Sequence, residues 1–147
     1  MDKRVQALKT TEECAGFIKN AVRLGHPELA QQARQRAVQL LALAFGAETD
    51  AEREALEAVY AYEAVLSERN GRKTKASRTW QMIKRHGILQ VVERAVNRNE
   101  ETAGYAALVE MGLEQYAFEA VVLRYQSLFS PECVARSSQR VAEWRSA

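Results

Sequence analysis

The sequence contains little of what marks a secreted, membrane-spanning or irregular protein. Of its 147 residues, only two are cysteine, two are proline and seven are glycine. No apolar run approaches the roughly 18 residues that a membrane-spanning helix needs. The first residues, MDKRVQALKTTEE, also lack the apolar core of a secretory signal. We therefore expect a cytoplasmic protein that has no membrane partner.

Cysteine and histidine are too sparse to predict a metal or cofactor site. Cys14 and Cys133 lie far apart and outside any CxxC pattern, so free thiols are expected, although a disulfide between them is left open. Neither His26 nor His86 has a second ligand at metal-binding spacing on its helix. No glycine-rich phosphate loop or Ser-His-Asp order is present. We expect no cofactor and no metal.

Helix-forming residues dominate what remains. Hydrophobic residues make up 47% and charged residues 27% of the chain, which are values typical of a globular protein. Alanine, leucine, glutamate, glutamine and arginine are abundant, and long β-branched runs are missing. The sequence predicts an all-α fold, a compact bundle of about seven or eight short helices arranged as antiparallel hairpins. It predicts one domain over residues 1–147, with 1–9 as a candidate disordered segment.

Start and stop signals divide the chain into these helices. Thr10 and Glu13 have the spacing of a capping box, and Gly25 followed by Pro27 predicts a tight connection between two antiparallel helices. Further helices are predicted from Thr49 or Asp50 to Asn70-Gly71, from a Ser77 cap to Gly87, from Ile88 to Val96, from Asn99-Glu100-Glu101 to Gly112, along Leu113 to Leu123, and from Ser130-Pro131 onward.

Charge is divided sharply along the chain, although the net charge is only +2. Residues 45–68 carry seven carboxylates against one arginine, and residues 100–119 carry five glutamates and no Lys or Arg. Between them, residues 69–98 carry nine cations against Glu93 alone. A run of cations that can follow a line of phosphates is typical of nucleic-acid binding.

We interpret this central block as a nucleic-acid-binding surface, with DNA favoured over RNA. Arg78, Gln81 and Arg85 are spaced to share one helix face, and arginine and glutamine are side chains that read guanine and adenine edges. The N-terminus of this helix, with Ser77 and Thr79, offers hydroxyls and N–H groups to a phosphate. The predicted contact residues, called the basic surface below, are Arg72, Lys73, Lys75, Arg78, Gln81, Lys84, Arg85, Arg94 and Arg98.

Two features of this block have a second interpretation. Helix, glycine and helix over residues 77–96 resemble the outline of a helix-turn-helix, but Glu93 would occupy a position expected to be buried and apolar. The cations could instead pair with the flanking acidic helices, for example Arg78 or Arg85 with Glu57 or Glu63. Trp80 could stack on a base, but its position beside Ile83 favours a role as a core anchor.

Two alternatives to nucleic-acid binding remain. The acidic helix (residues 48–68) and the basic block (residues 69–98) could dock complementary protein partners or a second copy of the chain, as an adaptor does. The chain could also be a nucleic-acid-processing enzyme or part of a nuclease, with His86, Glu63 and Glu119 as the candidate catalytic residues. Catalysis has the weaker support, because these three residues form no recognisable motif.

Overall fold

The described part of the chain, residues 1–98 and 105–146, is almost entirely helical in the computed structural model. None of these residues lies in a strand, so the predicted all-α fold is confirmed. The helices are α1 (Lys3–Gln6), α2 (Thr11–Arg23), α3 (Pro27–Phe45), α4 (Asp50–Asn70), α5 (Ser77–His86), α6 (Ile88–Asn97), α7 (Tyr105–Met111), α8 (Phe118–Arg124) and α9 (Pro131–Ser146), with 3₁₀ turns at Glu114–Tyr116 and Gln126–Leu128.

Side-chain caps begin three of these helices where the sequence predicts them. The Oγ1 of Thr10 accepts from the Glu13 amide at 3.1 Å, while the Glu13 carboxylate accepts from the Lys9 amide at 2.8 Å. Thr49 caps α4 through the Glu52 amide, also at 3.1 Å. The hydroxyl of Ser130 accepts from the Cys133 amide at 3.2 Å. Each cap satisfies an amide that the helix itself leaves without a partner.

Helix α4 is the central element, because it packs against α3, α6, α7 and α8. The antiparallel α2–α3 hairpin, which the sequence predicts at Gly25, covers one side. A second side is a core of α4, α6, α8 and α9, in which four valines are fully buried. Burying a valine contributes roughly 1.5–3 kcal/mol, so these four fasten α6 to α8. They are Val92, Val96, Val121 and Val122.

Tertiary packing changes two of the predicted helices. Ser77 is not a cap: the N-cap of α5 is Ala76, whose amide is held by a glutamate of α4. The predicted helix from Leu113 to Leu123 is wrong as a single element, since it divides at Ala117 into a 3₁₀ turn and α8. Leu113, Tyr116 and Ala117 are all buried. Leu113 and Tyr116 pack in one core cluster and Val121 and Val122 in another, and the extended backbone of Ala117, with ψ at 144°, lets the two segments pack separately.

Two further parts of the prediction are the N-terminal segment and the start of the sixth helix. Residues 1–9, the candidate disordered segment, include α1, and its Val5 is fully buried. The predicted start of the sixth helix at Asn99-Glu100-Glu101 lies outside the described residues. No helix in the described ranges is both long enough and apolar enough to cross a membrane.

Candidate nucleic-acid interface

The loop between α4 and α5 is held in place by hydrogen bonds to the end of α4. Gly71 ends α4 in the left-handed conformation, with φ at 67°. Thr74 then donates its amide to the Ser67 Oγ at 2.8 Å, and its hydroxyl accepts from the Asn70 amide group at 3.2 Å. These bonds leave the loop's cations on the outside. The exposed cations of the loop are Arg72, Lys73 and Lys75.

A single glutamate oxygen then fixes the start of α5. Oε2 of Glu63, on α4, accepts from the Ala76 amide and from the indole Nε1 of Trp80, both at 2.7 Å. The indole packs against Phe45, with ring centroids 5.7 Å apart, and against Tyr60 at 5.1 Å. Burial, and then the charge of Glu63, raise the pKa of Tyr60. Trp80 is therefore the anchor of α5.

The carboxylate of Glu63 affects the phosphate site that the sequence predicts at the N-terminus of α5. The helix has no side-chain cap, so its first amides are open, as an anion site requires. The carboxylate of Glu63, however, already lies beside that end and complements the helix dipole. Ser77 and Thr79 are therefore a poorer phosphate site than the sequence indicates.

Helix α5 has one outward and one inward face. The inward side chains are only half-buried, and no residue of the helix is fully buried. The helix therefore lies on the surface, attached mainly through Trp80, and the predicted spacing of the outer residues holds. The exposed residues of the outer face are Ser77, Arg78, Gln81, Lys84 and Arg85.

Helix α6 continues from α5 through one residue. Gly87, with φ at 85°, donates to the Ile83 carbonyl at 2.8 Å and accepts from the Val91 amide at 3.3 Å. In a helix-turn-helix protein the two helices are joined by a turn of about 3–4 residues, and the second enters the groove. Here the second helix buries Val91, Val92 and Val96 in the core. Most of the basic surface lies on the loop and on the first helix, so the arrangement differs from that of a helix-turn-helix, in which the second helix carries the contacts.

Arg94 and Arg98, the margin of the basic surface, differ in their relation to α5. Both side chains are exposed. The guanidinium of Arg98 reaches back to α5, with its Nη2 at 3.9 Å from the Met82 sulfur. No hydrogen bond or salt bridge among the described residues connects Arg94 to α5. The structure thus joins the loop, the outer face of α5 and Arg98, and places Arg94 on α6 by itself.

The neighbouring carboxylates are used inside the fold. Glu57 is 4% exposed and pairs with Arg53 at 3.5 Å, and burial raises the pKa of Glu57 more than Arg53 lowers it. Glu93, exposed in part, accepts from the Ser130 amide at 2.7 Å. The pairing predicted between Arg78 or Arg85 and Glu57 or Glu63 is therefore wrong.

Two further glutamates near the core have their own arginines. Glu54 binds Arg124 at 2.6 Å and the Tyr125 hydroxyl. Glu119 is 1% exposed and pairs with Arg140 at 2.9 Å. Within residues 1–98 and 105–146, no salt bridge includes a cation of the basic surface.

The three catalytic candidates do not come together. Glu63 binds at the start of α5, whereas His86 is its last residue. A helix rises about 1.5 Å per residue, so these positions are roughly 15 Å apart. Glu119 lies on α8 and is already paired with Arg140. Among the described side chains, no group of three His, Cys, Asp or Glu could hold a metal ion.

The two cysteines are free and buried. Burial is the main cause that raises the pKa of each, and that of Cys133 rises to about 11, with further contributions from Glu93 and Glu119. A buried thiol with a raised pKa stays protonated at neutral pH and is a poor nucleophile.

Sequence reasoning missed the role of Glu63 in holding α5. A half-buried tryptophan needs an acceptor for its N–H, so Trp80 indicates that a hydrogen-bond acceptor lies nearby. Nothing local identifies Glu63, which lies 17 residues earlier on another helix. Comparison of this chain with models of protein families, with curated proteins and with solved structures gives no match.

Proposed function

We propose that this protein binds nucleic acid, DNA in preference to RNA, through the loop after α4, the outer face of α5, and Arg98. One observation carries the proposal. The cations of this surface are exposed and have no carboxylate partner among the described residues, while the carboxylates of Glu54, Glu57, Glu63 and Glu93 are engaged elsewhere. The positive charge is therefore available to an external ligand.

A polyanion suits this charge better than isolated anions do. Loop and helix present their cations in succession, and each phosphate that a cation neutralises releases counterions from the nucleic acid. Arginine can also donate two parallel hydrogen bonds to a phosphate or to guanine. Gln81, between Arg78 and Arg85 on the same face, has the amide group that pairs with adenine.

The protein-docking alternative has less support from the geometry. It needs an acidic face on α4 to match the basic one, but Glu54, Glu57 and Glu63 are turned to partners within the fold. The exposed carboxylates of α4, Asp50 and Glu68, lie at its opposite ends. An acidic protein could still bind the basic surface alone. The experiment below therefore includes a protein polyanion.

Binding should be measured by fluorescence polarisation with labelled duplex DNA, single-stranded DNA and RNA over a series of salt concentrations. We expect the logarithm of the affinity to fall linearly with the logarithm of salt concentration. Arg78→Ala/Arg85→Ala should reduce the magnitude of that slope by about 2, one for each lost phosphate contact. Its free energy of unfolding should change by less than about 0.5 kcal/mol, since both side chains are exposed.

The matched control is Lys19→Ala/Arg23→Ala, which removes the same charge from exposed positions of α2. It should leave the salt slope unchanged. Equal loss in both variants would mean that only net charge matters and would contradict a defined surface. No binding to any of the three nucleic acids at low salt, with binding to polyglutamate, would replace the proposal by protein docking.

A further inference from the structure

A cavity of about 260 Å³ lies against the inner face of α5. The inner face of α5 forms one wall, through Thr79 and Met82, and α4, α6, α8 and α9 supply others. An apolar cavity of about 150 Å³ is enough to hold benzene. This cavity therefore has room for a larger ring system, of the size of a nucleobase.

The walls of the cavity are rich in aromatic rings. Tyr105 and Trp144 stack with their centroids 4.1 Å apart and their planes within 14°. Tyr62 and Phe118 form a second pair at 6.3 Å, and Tyr62 is 40% exposed. Flat rings of this kind provide the surfaces on which unpaired bases stack, because every base has a π-face.

The charge at the cavity connects it to the basic surface. Arg98 belongs to both, since its side chain lines the cavity and contacts Met82 of α5. The carboxylate among the lining residues is that of Glu119, and Arg140 neutralises it. An anionic group attached to the bound ring would therefore meet Arg98 at the boundary between cavity and surface.

We infer that the cavity receives one unpaired nucleobase from a strand whose phosphates lie on the basic surface. The preferred ligand is then single-stranded, or a duplex with an unpaired base, because extruding a paired base costs a few kcal/mol. The inference rests on the proposed function and adds to it which form of nucleic acid is bound. A free mononucleotide shares the same chemistry, and the experiment separates the two.

The test compares four labelled DNA ligands of the same length on the intact chain: a single strand, the same strand with abasic positions, a perfect duplex, and a duplex with one extra unpaired base. The single strand and the bulged duplex should bind about 5- to 150-fold more tightly than the abasic strand and the perfect duplex, respectively, which is the range for one base stacked on an aromatic ring.

Two variants address the cavity itself. Trp144→Ala removes a stacking surface, and Ala95→Phe fills the cavity from α6. Each should abolish the preference for the unpaired base while leaving the binding of perfect duplex unchanged. The control, Ala135→Phe, adds the same ring at an exposed position of α9 and should preserve the preference. Circular dichroism and thermal unfolding establish that each variant folds.

Each outcome has a distinct meaning. Equal binding of all four ligands, still weakened by Arg78→Ala/Arg85→Ala, would overturn the inference and leave the proposed function standing. Binding of a free nucleoside monophosphate, lost in Ala95→Phe, with no binding of any strand, would make the cavity a small-molecule site and overturn both. A preference for the unpaired base that survives both cavity variants would also overturn the inference.

Discussion

Helices α4 and α5 are both highly charged, lie next to each other, and use their charge in opposite ways. The carboxylates Glu54, Glu57 and Glu63 of α4 are turned toward partners inside the fold. The cations on the outer face of α5 are turned to solvent and have no such partner among the described residues. Net charge along a sequence therefore does not show which charges an external ligand can reach, whereas the partners of each charge within the fold do.

The carboxylates of α4 and the cations of α5 should also differ in how much they contribute to stability. A carboxylate taken out of water must recover its lost hydration from partners, so removing a partner should be costly. An exposed cation has lost little hydration, and its removal should barely change stability. Stability measurements on the two groups should therefore separate charge that maintains the fold from charge that is free to bind.

The largest effect is expected from Arg140→Ala, which leaves Glu119 buried without its counter-charge. Arg140 also donates to the Arg98 carbonyl at 2.8 Å, beyond the end of α6. We expect a loss of about 3–5 kcal/mol in the free energy of unfolding, measured by urea denaturation. Replacing Glu119 by glutamine in the same chain should recover part of the loss.

Arg136→Ala is the control for that experiment. Arg136 donates to the Asn97 carbonyl at 2.7 Å and forms no salt bridge with a described residue. Its removal breaks one hydrogen bond without stranding a charge, so about 1–1.5 kcal/mol should be lost. Equal losses in the two arginine variants would show that Glu119 does not depend on its partner.

The next largest effect is expected from Glu63→Ala. The change leaves the Trp80 indole and the Ala76 amide without their acceptor, and about 3 kcal/mol should be lost. Glu63→Gln retains an oxygen that can accept both bonds, so it should lose only about 1 kcal/mol. Hydrogen exchange of the α5 amides should accelerate in the alanine variant. If α5 remains as protected as in the parent chain, Glu63 does not anchor it.

The smallest effect is expected from Glu57→Gln, and it should have the opposite sign at neutral pH. Burial raises the pKa of Glu57 above its ordinary value of 4.5, so the folded chain binds this proton more tightly than the unfolded chain. The resulting stabilisation is complete below the ordinary pKa and is lost as pH rises through the folded pKa.

Glutamine removes this titration, so the variant should be more stable than the parent at pH 7, by about 1 kcal/mol, and similar to it below pH 4.5. Urea denaturation across this pH range measures the difference. A variant that is less stable at pH 7 would mean that the ion pair with Arg53 outweighs the cost of burial.

Much of the secondary structure follows from short-range signals. The hydroxyls of Thr10, Thr49 and Ser130 each accept from the amide three residues ahead, and Gly71 and Gly87 end helices with positive φ. These effects depend only on neighbouring residues, so the sequence alone is enough to predict them. The exposed outer face of α5 was predictable for the same reason, since helical spacing determines which residues share a face.

The long-range pairings were not predictable. Glu119 of α8 pairs with Arg140 of α9, and Glu63 of α4 accepts a hydrogen bond from Trp80 of α5. Several other arginines and glutamates have the same local pattern, and only the packing of the bundle selects among them. The division of the helix predicted after Gly112 has the same origin, because Leu113 and Tyr116 pack in a different core cluster from Val121 and Val122, and tertiary packing overrides local helix preference.

The fastening of α5 at both ends has a consequence for the thermodynamics of recognition. Glu63 holds its start, and Gly87 joins its end directly to α6. Ordering a free chain costs about 1–2 kcal/mol per residue, so a basic arm of ten residues that folds only on contact would forfeit on the order of 10 kcal/mol. A helix that is already formed does not lose this ordering free energy when its ligand binds. Under the proposed function, Glu63 would therefore increase affinity for an anion that it never touches and that its own charge repels.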